Sequence, residues 1–416
     1  MANDNKKYIP ALRFPEFQND GEWKMCKLLD IAKRKVAKNR QGLKLPVYTN
    51  SAIGGVVNQE EYFDREIVTK DNLVNYSIIE HNDFVYNPRV STAAPVGPIS
   101  RNKLDKGIMS PLYLIFGFHK GDINFYEYYF KSTHWHNYLK AKANYGARFD
   151  RINIATDDFM DMPMPYPSLR EQKKIADCFL ALDKYIDATK RKLGQLKEHK
   201  KGLMQKLFPA KGKTLPELRF PEFSHRENWN IVSLGEVTEV INKRNKSNRT
   251  LPVYSINNVD GFIPQSQQFD GMDSEARGYD ISAYKIIGKH TFAYNPARIN
   301  VGSIGYSRDL KDILISSLYV CFKTTDIVDD TFLMCFFNSH IFNQAVECNV
   351  EGGIRSYLFY ENFSRIKLAI PKLDEQKRIA SCIMSIDCEI KKINDKIDLL
   401  ETHKKGLQQQ LFPRFK

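Results

Sequence analysis

Residues 12–17 of the chain read LRFPEF, and residues 218–223 read LRFPEF again, an offset of 206. The repetition continues at nearly constant spacing. Trp23 answers to Trp229, LPVY at 45–48 to LPVY at 251–254, Phe63 and Asp64 to Phe269 and Asp270, and YNP at 86–88 to YNP at 294–296. SPLYLIF at 110–116 matches SSLYVCF at 316–322, EQKKIA at 171–176 matches EQKRIA at 375–380, and EHKKGLMQKLFP at 198–209 matches THKKGLQQQLFP at 402–413. The 416 residues are therefore a tandem duplication, and any fold must be one that the chain builds twice. Between the anchors the two copies differ.

Each half opens with about 150 residues of short strand-like runs such as LPVY, FVYN and LYLIF, punctuated by Gly, Pro and Asn, which predicts an α+β domain. Each half then closes with a long helix, 168–208 and 372–412. In the first, Ile175, Phe179, Leu182, Ile186, Thr189, Leu193, Leu196, Lys200, Leu203 and Leu207 recur in alternating steps of four and three. Ile379, Ile383, Ile386, Ile390, Ile393, Ile397, Leu400, Lys404, Leu407 and Leu411 do the same in the second. A seam this regular predicts a coiled coil of helices ~60 Å long, whereas a lone surface helix would need only one loosely apolar stripe. The one polar slot that the two seams share is a lysine, Lys200 or Lys404. A parallel pair would set these ammonium groups face to face. An antiparallel pair puts Lys200 opposite Ile386 and Lys404 opposite Leu182, ~25 Å apart at about 5 Å per layer, so the antiparallel arrangement is expected. Ser168 and Glu171 form an S-x-x-E capping box. Lys372 replaces the serine in the second copy, leaving Asp374 as the candidate cap. Both helices end at Leu-Phe-Pro, since proline cannot continue the ladder.

Lys plus Arg exceed Asp plus Glu by 62 to 49, a net charge of +13, which favours a polyanionic partner, nucleic acid before an anionic membrane surface. The start MANDNKKYIP has no apolar core of a signal peptide, and apolar runs such as Leu112 to Phe116 are too short to cross a bilayer, so the expected location is cytoplasmic. Cys26, Cys178, Cys321, Cys335, Cys348, Cys382 and Cys388 have no CxxC spacing and read as reduced thiols. Several enzyme signatures come close and fail. YNPR at 86–89 and YNPA at 294–297 lack the second proline and tyrosine of an adenine methyltransferase motif and read as turns. Gly212, Lys213 and Thr214 imitate the tail of a phosphate-binding loop, but Leu207 stands where the first glycine belongs. Glu171 with Lys173, and Glu375 with Lys377, give a nuclease-like E-x-K, yet in a first helical turn, where capping is the better account. His134 and His136 flank Trp135 without further ligands nearby. No catalytic residue and no metal site is expected.

Candidate nucleic-acid contacts are duplicated. Lys33, Arg34, Lys35, Lys38, Arg40 and Lys44 precede the first LPVY, and Lys243, Arg244, Lys246 and Arg249 precede the second, either as phosphate contacts or as solvated basic loops. Arg89 and Arg298 follow the YNP turns. Arg148, Arg151 and Arg355 follow Gly146 and Gly353, with Tyr145, Phe149 and Tyr357 close by, and arginines beside such turns can reach base edges. The first helix carries 11 basic against 5 acidic residues between 168 and 208, and the second 8 against 7 between 372 and 412, so the first is the better phosphate-facing surface.

LRFPEF with its following tryptophan, the paired P-x-L-x-EQ-x-x-I-A starts at Pro167 and Pro371, and the HKKGL-x-Q-x-LFP ends resemble the specificity (S) subunit of type I restriction-modification enzymes over essentially the whole chain. The resemblance implies a target-recognition domain at 1–167, a spacer helix at 168–208, a linker at 209–217, a second target-recognition domain at 218–371, a second spacer helix at 372–412 and a tail at 413–416. It implies no catalysis in this chain. Its partners would be double-stranded DNA, two modification (methyltransferase) subunits and restriction subunits that act as ATP-dependent translocase and nuclease, with S-adenosylmethionine, ATP and magnesium held by those partners. Each recognition domain would read one half-site, the helices would set the unread spacer, and the differences between copies imply an asymmetric split site. Two rival readings are a stand-alone DNA-binding scaffold or regulator, and a chain that itself methylates adenine.

Overall fold

The computed structural model describes residues 8–63, 70–143, 150–258, 261–268, 271–350 and 357–413. The chain divides into two compact units, Met1–Lys190 with Asp395–Lys416, and Arg191–Asn394. The division passes through both long helices. Each unit thus contains one globular domain, the start of the helix that follows it, and the end of the other helix.

In the first unit the strands Ala32–Lys35, Leu114–Phe118, Phe84–Tyr86 and Ile99–Arg101 lie side by side in that order, all antiparallel. A second sheet runs Gly55–Asn58, Val47–Ser51, Gly107–Met109 and Ser77–Ile79, and its central pair is parallel. Lys24–Lys27 pairs with Pro163–Tyr166 and ties the two ends of the domain together. The second unit repeats the plan. Thr238–Ile241, Val320–Thr324, Phe292–Tyr294 and Ile304–Tyr306 form one sheet, and Gly261–Pro264, Val253–Asn257, Ile313–Ile315 and Lys285–Ile287 the other, with Asn230–Ser233 paired to Lys367–Ile370. The β-branched and aromatic runs of the sequence supply these strands. Phe84 and Phe116 stack in the first sheet and pack on the helix Ile123–Phe130, which Asp122 caps through the amides of Asn124 and Phe125. Asp329 caps Asp330–Phe337 in the same way.

The long helices span Leu169–Leu207 and Leu373–Gln410. Within each unit they run antiparallel. In the first, Asp183 meets Lys404 while Lys190 meets Glu401 at 2.6 Å, and in the second, Lys192 meets Glu389 at 3.2 Å while Lys200 meets Asp387 at 2.5 Å. Each seam lysine thus meets the aspartate that follows the apolar residue expected opposite it, Asp387 after Ile386 and Asp183 after Leu182. Every seam position from Ile175 to Leu207 and from Ile379 to Leu411 is buried or half-buried. Ile175, Phe179, Ile379 and Ile383 also belong to the cores of the globular domains.

The ends of the helices explain why Leu-Phe-Pro is repeated. Leu411 and Phe412 are buried in the core of the first unit, where the Phe412 ring lies 5.3 Å from Phe125, 5.6 Å from Tyr129 and 6.3 Å from Phe179. Phe208 fills the same place in the second unit, 5.2 Å from Phe332 and 6.4 Å from Phe336. The amide of Leu12 donates to the Gln410 carbonyl at 2.9 Å, and that of Leu218 to the Lys206 carbonyl at 2.9 Å. Each domain is completed by the end of one helix and the start of the other.

The helix starts depart from the expected caps. Ser168 Oγ accepts from the Glu171 amide at 3.2 Å, but Glu171 does not complete the box, because its two oxygens take a fork from Arg13 at 2.7 and 2.8 Å. Arg219 grips Glu375 identically, at 2.8 Å on both arms. Asp374 sits in the first turn of the second helix, where it accepts from the Glu375 amide at 2.9 Å, an amide that also donates to the Lys372 carbonyl at 3.0 Å, and pairs with Arg226 at 2.7 Å. Gln172 and Gln376 donate to the carbonyls of Pro167 and Pro371, both at 2.9 Å, and accept from the amides of Asp122 and Asp329, both at 2.8 Å. The repeated LRFPEF and EQ motifs are therefore the two sides of one clamp.

Candidate nucleic-acid interface

The strand registers gather several loops at one end of each globular domain. In the first unit Tyr86 pairs with Leu114, so the turns Asn87–Arg89 and Ser110–Tyr113 leave adjacent strands together. Lys35 pairs with Ile115, which carries the chain onward to Lys38 and Arg40 at the same end. In the second sheet Met109 lies opposite Tyr48 and Ser77, and Lys38 bridges to Ser77. The second unit has the same layout, with Tyr294 opposite Val320, Lys285 opposite Ile315, and Arg244 bridged to Lys285.

Each basic loop is built on a buried asparagine. Asn39 is 1% exposed, donates its amide to the Tyr76 carbonyl at 2.9 Å, and closes a ring on Leu43 by accepting from its amide at 2.9 Å and donating to its carbonyl at 3.0 Å. Asn245 makes the same set with Tyr284 and Arg249. The loops are therefore fixed in shape, with Lys38 and Arg40 flanking one asparagine and Arg244 and Lys246 the other. Lys38 is half-buried and donates to Ser77 Oγ at 2.9 Å, and burial, aided by the charge of Arg34, holds its ammonium below the ordinary value. Arg40, Arg244 and Lys246 are exposed, whereas Lys35 stands 3.7 Å from Glu80 and 3.8 Å from Asp83.

The turn residues behave as the YNP reading requires. Asn87 Oδ1 accepts from the Arg89 amide and Asn295 Oδ1 from the Ala297 amide, both at 3.0 Å, a local bond that stabilises a turn. Arg89 is exposed and its backbone bridges to Arg151, whose Nε lies 3.6 Å from Asp150. Arg298 is exposed just beyond the second turn. Arg148 and Arg355 lie outside the described residues. The Arg249 backbone closes the Asn245 ring, but its side chain pairs with Asp312 at 3.2 Å, at the start of the strand whose far end leads to the Ser316–Tyr319 turn. Replacing Arg244 or Lys246 by alanine should lower the magnitude of the log affinity against log salt slope by about 1 each, and replacing Arg249 should leave it unchanged. Titrations of duplex DNA across a salt series check this, and an Arg249→Ala slope equal to that of Arg244→Ala would contradict the placement.

The near-motifs are absorbed by structure. Glu171 and Glu375 are committed to the clamps, Gly212 sits in a turn with φ +79°, and no group of three or more metal-ligating side chains occurs among the described residues. His136 is pushed down to about 4, mainly by burial. All seven cysteines are free, and burial raises the Cys26 thiol to about 11 and those of Cys321 and Cys335 to about 12, which suits inert thiols. No helix among the described residues is long and apolar enough to cross a membrane. Residue patterns alone missed Arg13 and Arg219, Lys285, which donates to the Tyr319 carbonyl at 2.7 Å, and the exposed Leu112 and Leu318. Their only sequence signal is that most of them stand inside or beside repeated anchors.

Residues 20–198 and 226–402 each match the family model described as the type I restriction modification DNA specificity domain. Among curated proteins, the putative type I restriction enzyme MjaX specificity subunit of Methanocaldococcus jannaschii is 24% identical over 296 residues, covering 68% of this chain and 62% of that one. The type I restriction enzyme MjaVIII specificity subunit of the same organism is 25% identical over 276 residues, covering 61% and 62%. The match thus spans somewhat under two thirds of each relative. Among solved structures, the S subunit of a type I restriction-modification system from M. genitalium superposes with a TM-score of 0.55 at 13% identity, covering 98% of this chain and 100% of that one. The HsdS subunit from Thermoanaerobacter tengcongensis gives 0.51 at 16%, covering 94% and 95%. A chain from work on complex assembly and conformational transition of the type I R-M system gives 0.56 at 16%, covering 94% and 97%.

Proposed function

Because the chain belongs to the type I restriction modification DNA specificity family, we propose that it is the non-catalytic subunit that reads a split, asymmetric site on double-stranded DNA, one half-site per unit. The observation that carries this reading is the duplication of the basic end on one scaffold with different residues. Lys38-Asn39-Arg40 in the first unit becomes Arg244-Asn245-Lys246 in the second, on the same hydrogen-bonded asparagine. A common frame with divergent polar groups suits two different short sequences, and the paired helices set the unread base pairs between them.

The same duplication supports recruitment of two copies of one modification (methyltransferase) subunit. Leu12 and Leu169 are 40% and 60% exposed on either side of the Arg13–Glu171 clamp, and Leu218 and Leu373 are 42% and 39% exposed around Arg219–Glu375. Restriction subunits, S-adenosylmethionine, ATP and magnesium belong to the partners in this reading. Exchanging residues 45–150 for the same segment of a relative with another specificity should change one half-site and leave the other and the spacer intact, as read from methylated DNA. A change in both halves would show that the units do not read independently.

A further inference from the structure

The turn that joins the two sheets carries an unpartnered leucine in both units. Leu112 is 54% exposed and Leu318 is 78% exposed, at matching positions of Ser-Pro-Leu-Tyr and Ser-Ser-Leu-Tyr. Single exposed leucines are ordinary on a protein surface. These two differ in being rigidly presented and in recurring at the same point of a duplicated chain. The amides of Tyr113 and Tyr319 donate to the Ser110 and Ser316 carbonyls at 3.1 Å, and the amides of Leu112 and Leu318 reach the hydroxyls of the same serines at 3.4 Å. Each following tyrosine anchors the turn to the second sheet: Tyr113 shares a hydrogen bond with Thr49 at 3.0 Å, and Tyr319 accepts from the Ile256 amide at 3.4 Å.

The setting is cationic. Lys38, Ser77 and Met109 lie in one row across the sheet, as do Arg244, Lys285 and Ile315, so each basic loop is two strand spacings, about 10 Å, from the strand that ends in the leucine turn. Lys285 reaches the turn itself through the Tyr319 carbonyl. An apolar tip on a stiff support, with cations beside it, is how proteins part a base step: the cations hold phosphates while the wedge replaces lost stacking. A protein partner would be better matched by a broader apolar patch, such as the leucine pairs at the helix starts.

We propose that Leu112 and Leu318 are wedges that enter the groove of bound duplex DNA and unstack one base step in each half-site. This rests on the DNA-reading function above. It adds a contact shared by both units, alongside the divergent groups that distinguish the half-sites. The test uses the full chain with its modification subunit and a duplex of its target, with 2-aminopurine placed singly at positions other than the methylated adenine. The wild type should give a several-fold fluorescence rise at one step in each half-site. Leu112→Ala should abolish the rise in the first half-site only and Leu318→Ala in the second only, each weakening binding about tenfold. Both side chains are exposed, so the variants should keep the wild-type melting temperature, which is measured alongside. A rise that persists in both variants, or binding that falls with no rise in the wild type, overturns the wedge while leaving DNA reading intact. Loss of the modification subunit with an unaltered rise assigns the turns to protein docking and also overturns it. A wild-type complex without sequence-specific DNA binding fails the underlying function instead.

Discussion

Replacing Phe412 by alanine should destabilise the unit built on the N-terminal half by about 3–5 kcal/mol, and leave the unit built on the C-terminal half nearly untouched. Phe412 is only 1% exposed and its ring is lodged among Phe125, Tyr129 and Phe179, so truncation empties a cavity in that core. Phe208→Ala should do the converse, opening the core around Phe332 and Phe336. With two units, a single global unfolding energy is not defined, so the measurement is hydrogen exchange resolved by peptide. Amides of 123–130 should lose protection in Phe412→Ala, and those of 330–337 in Phe208→Ala. Loss confined to the unit of Arg191–Asn394 in Phe412→Ala would contradict the exchange of helix ends.

Glu171→Ala should cost a similar amount, about 3–5 kcal/mol, because it leaves the Arg13 guanidinium buried without its partner. The side chains are 7% and 1% exposed, so solvent cannot replace the lost carboxylate. Glu375→Ala should cost about 1 kcal/mol more, since Glu375 Oε1 also accepts from Trp229 Nε1 at 3.2 Å, while Trp23 Nε1 has no partner among the described residues. Denaturant series followed by peptide-resolved exchange check both. The double replacement Arg13→Met with Glu171→Leu should recover much of the loss, because the cost lies in stranding a charge rather than in losing the pair. Equal stability of Glu171→Ala and the wild type would show that the clamp is ornamental.

These residues also show what a linear reading can and cannot find. The helical seam was legible because a 3.5-residue period repeats over ten layers, and the single lysine in each copy carried enough information to orient the pair. The clamp was not legible: Arg13 and Glu171 are 158 residues apart and neither belongs to a periodic pattern, so Glu171 looked like a cap. Its trace was the unexplained constancy of LRFPEF and EQ between copies. The basic loops were visible as composition, but the ring that the buried Asn245 closes on Arg249 was not, nor the pairing of the Arg249 side chain with Asp312 while Arg244 stays exposed. Local propensity has no term for that ring. The leucine turns were hidden in a strand-like run, where an exposed leucine and a core leucine read alike.

The central claim is that one chain reads two different short sequences and passes that reading to a methyltransferase. Its most direct test is to express this chain with its cognate modification subunit and map N6-methyladenine across the host genome by single-molecule sequencing. The account predicts methylation confined to a single gapped motif with two unlike halves. A stable complex that methylates at no motif, or at an ungapped one, would contradict it.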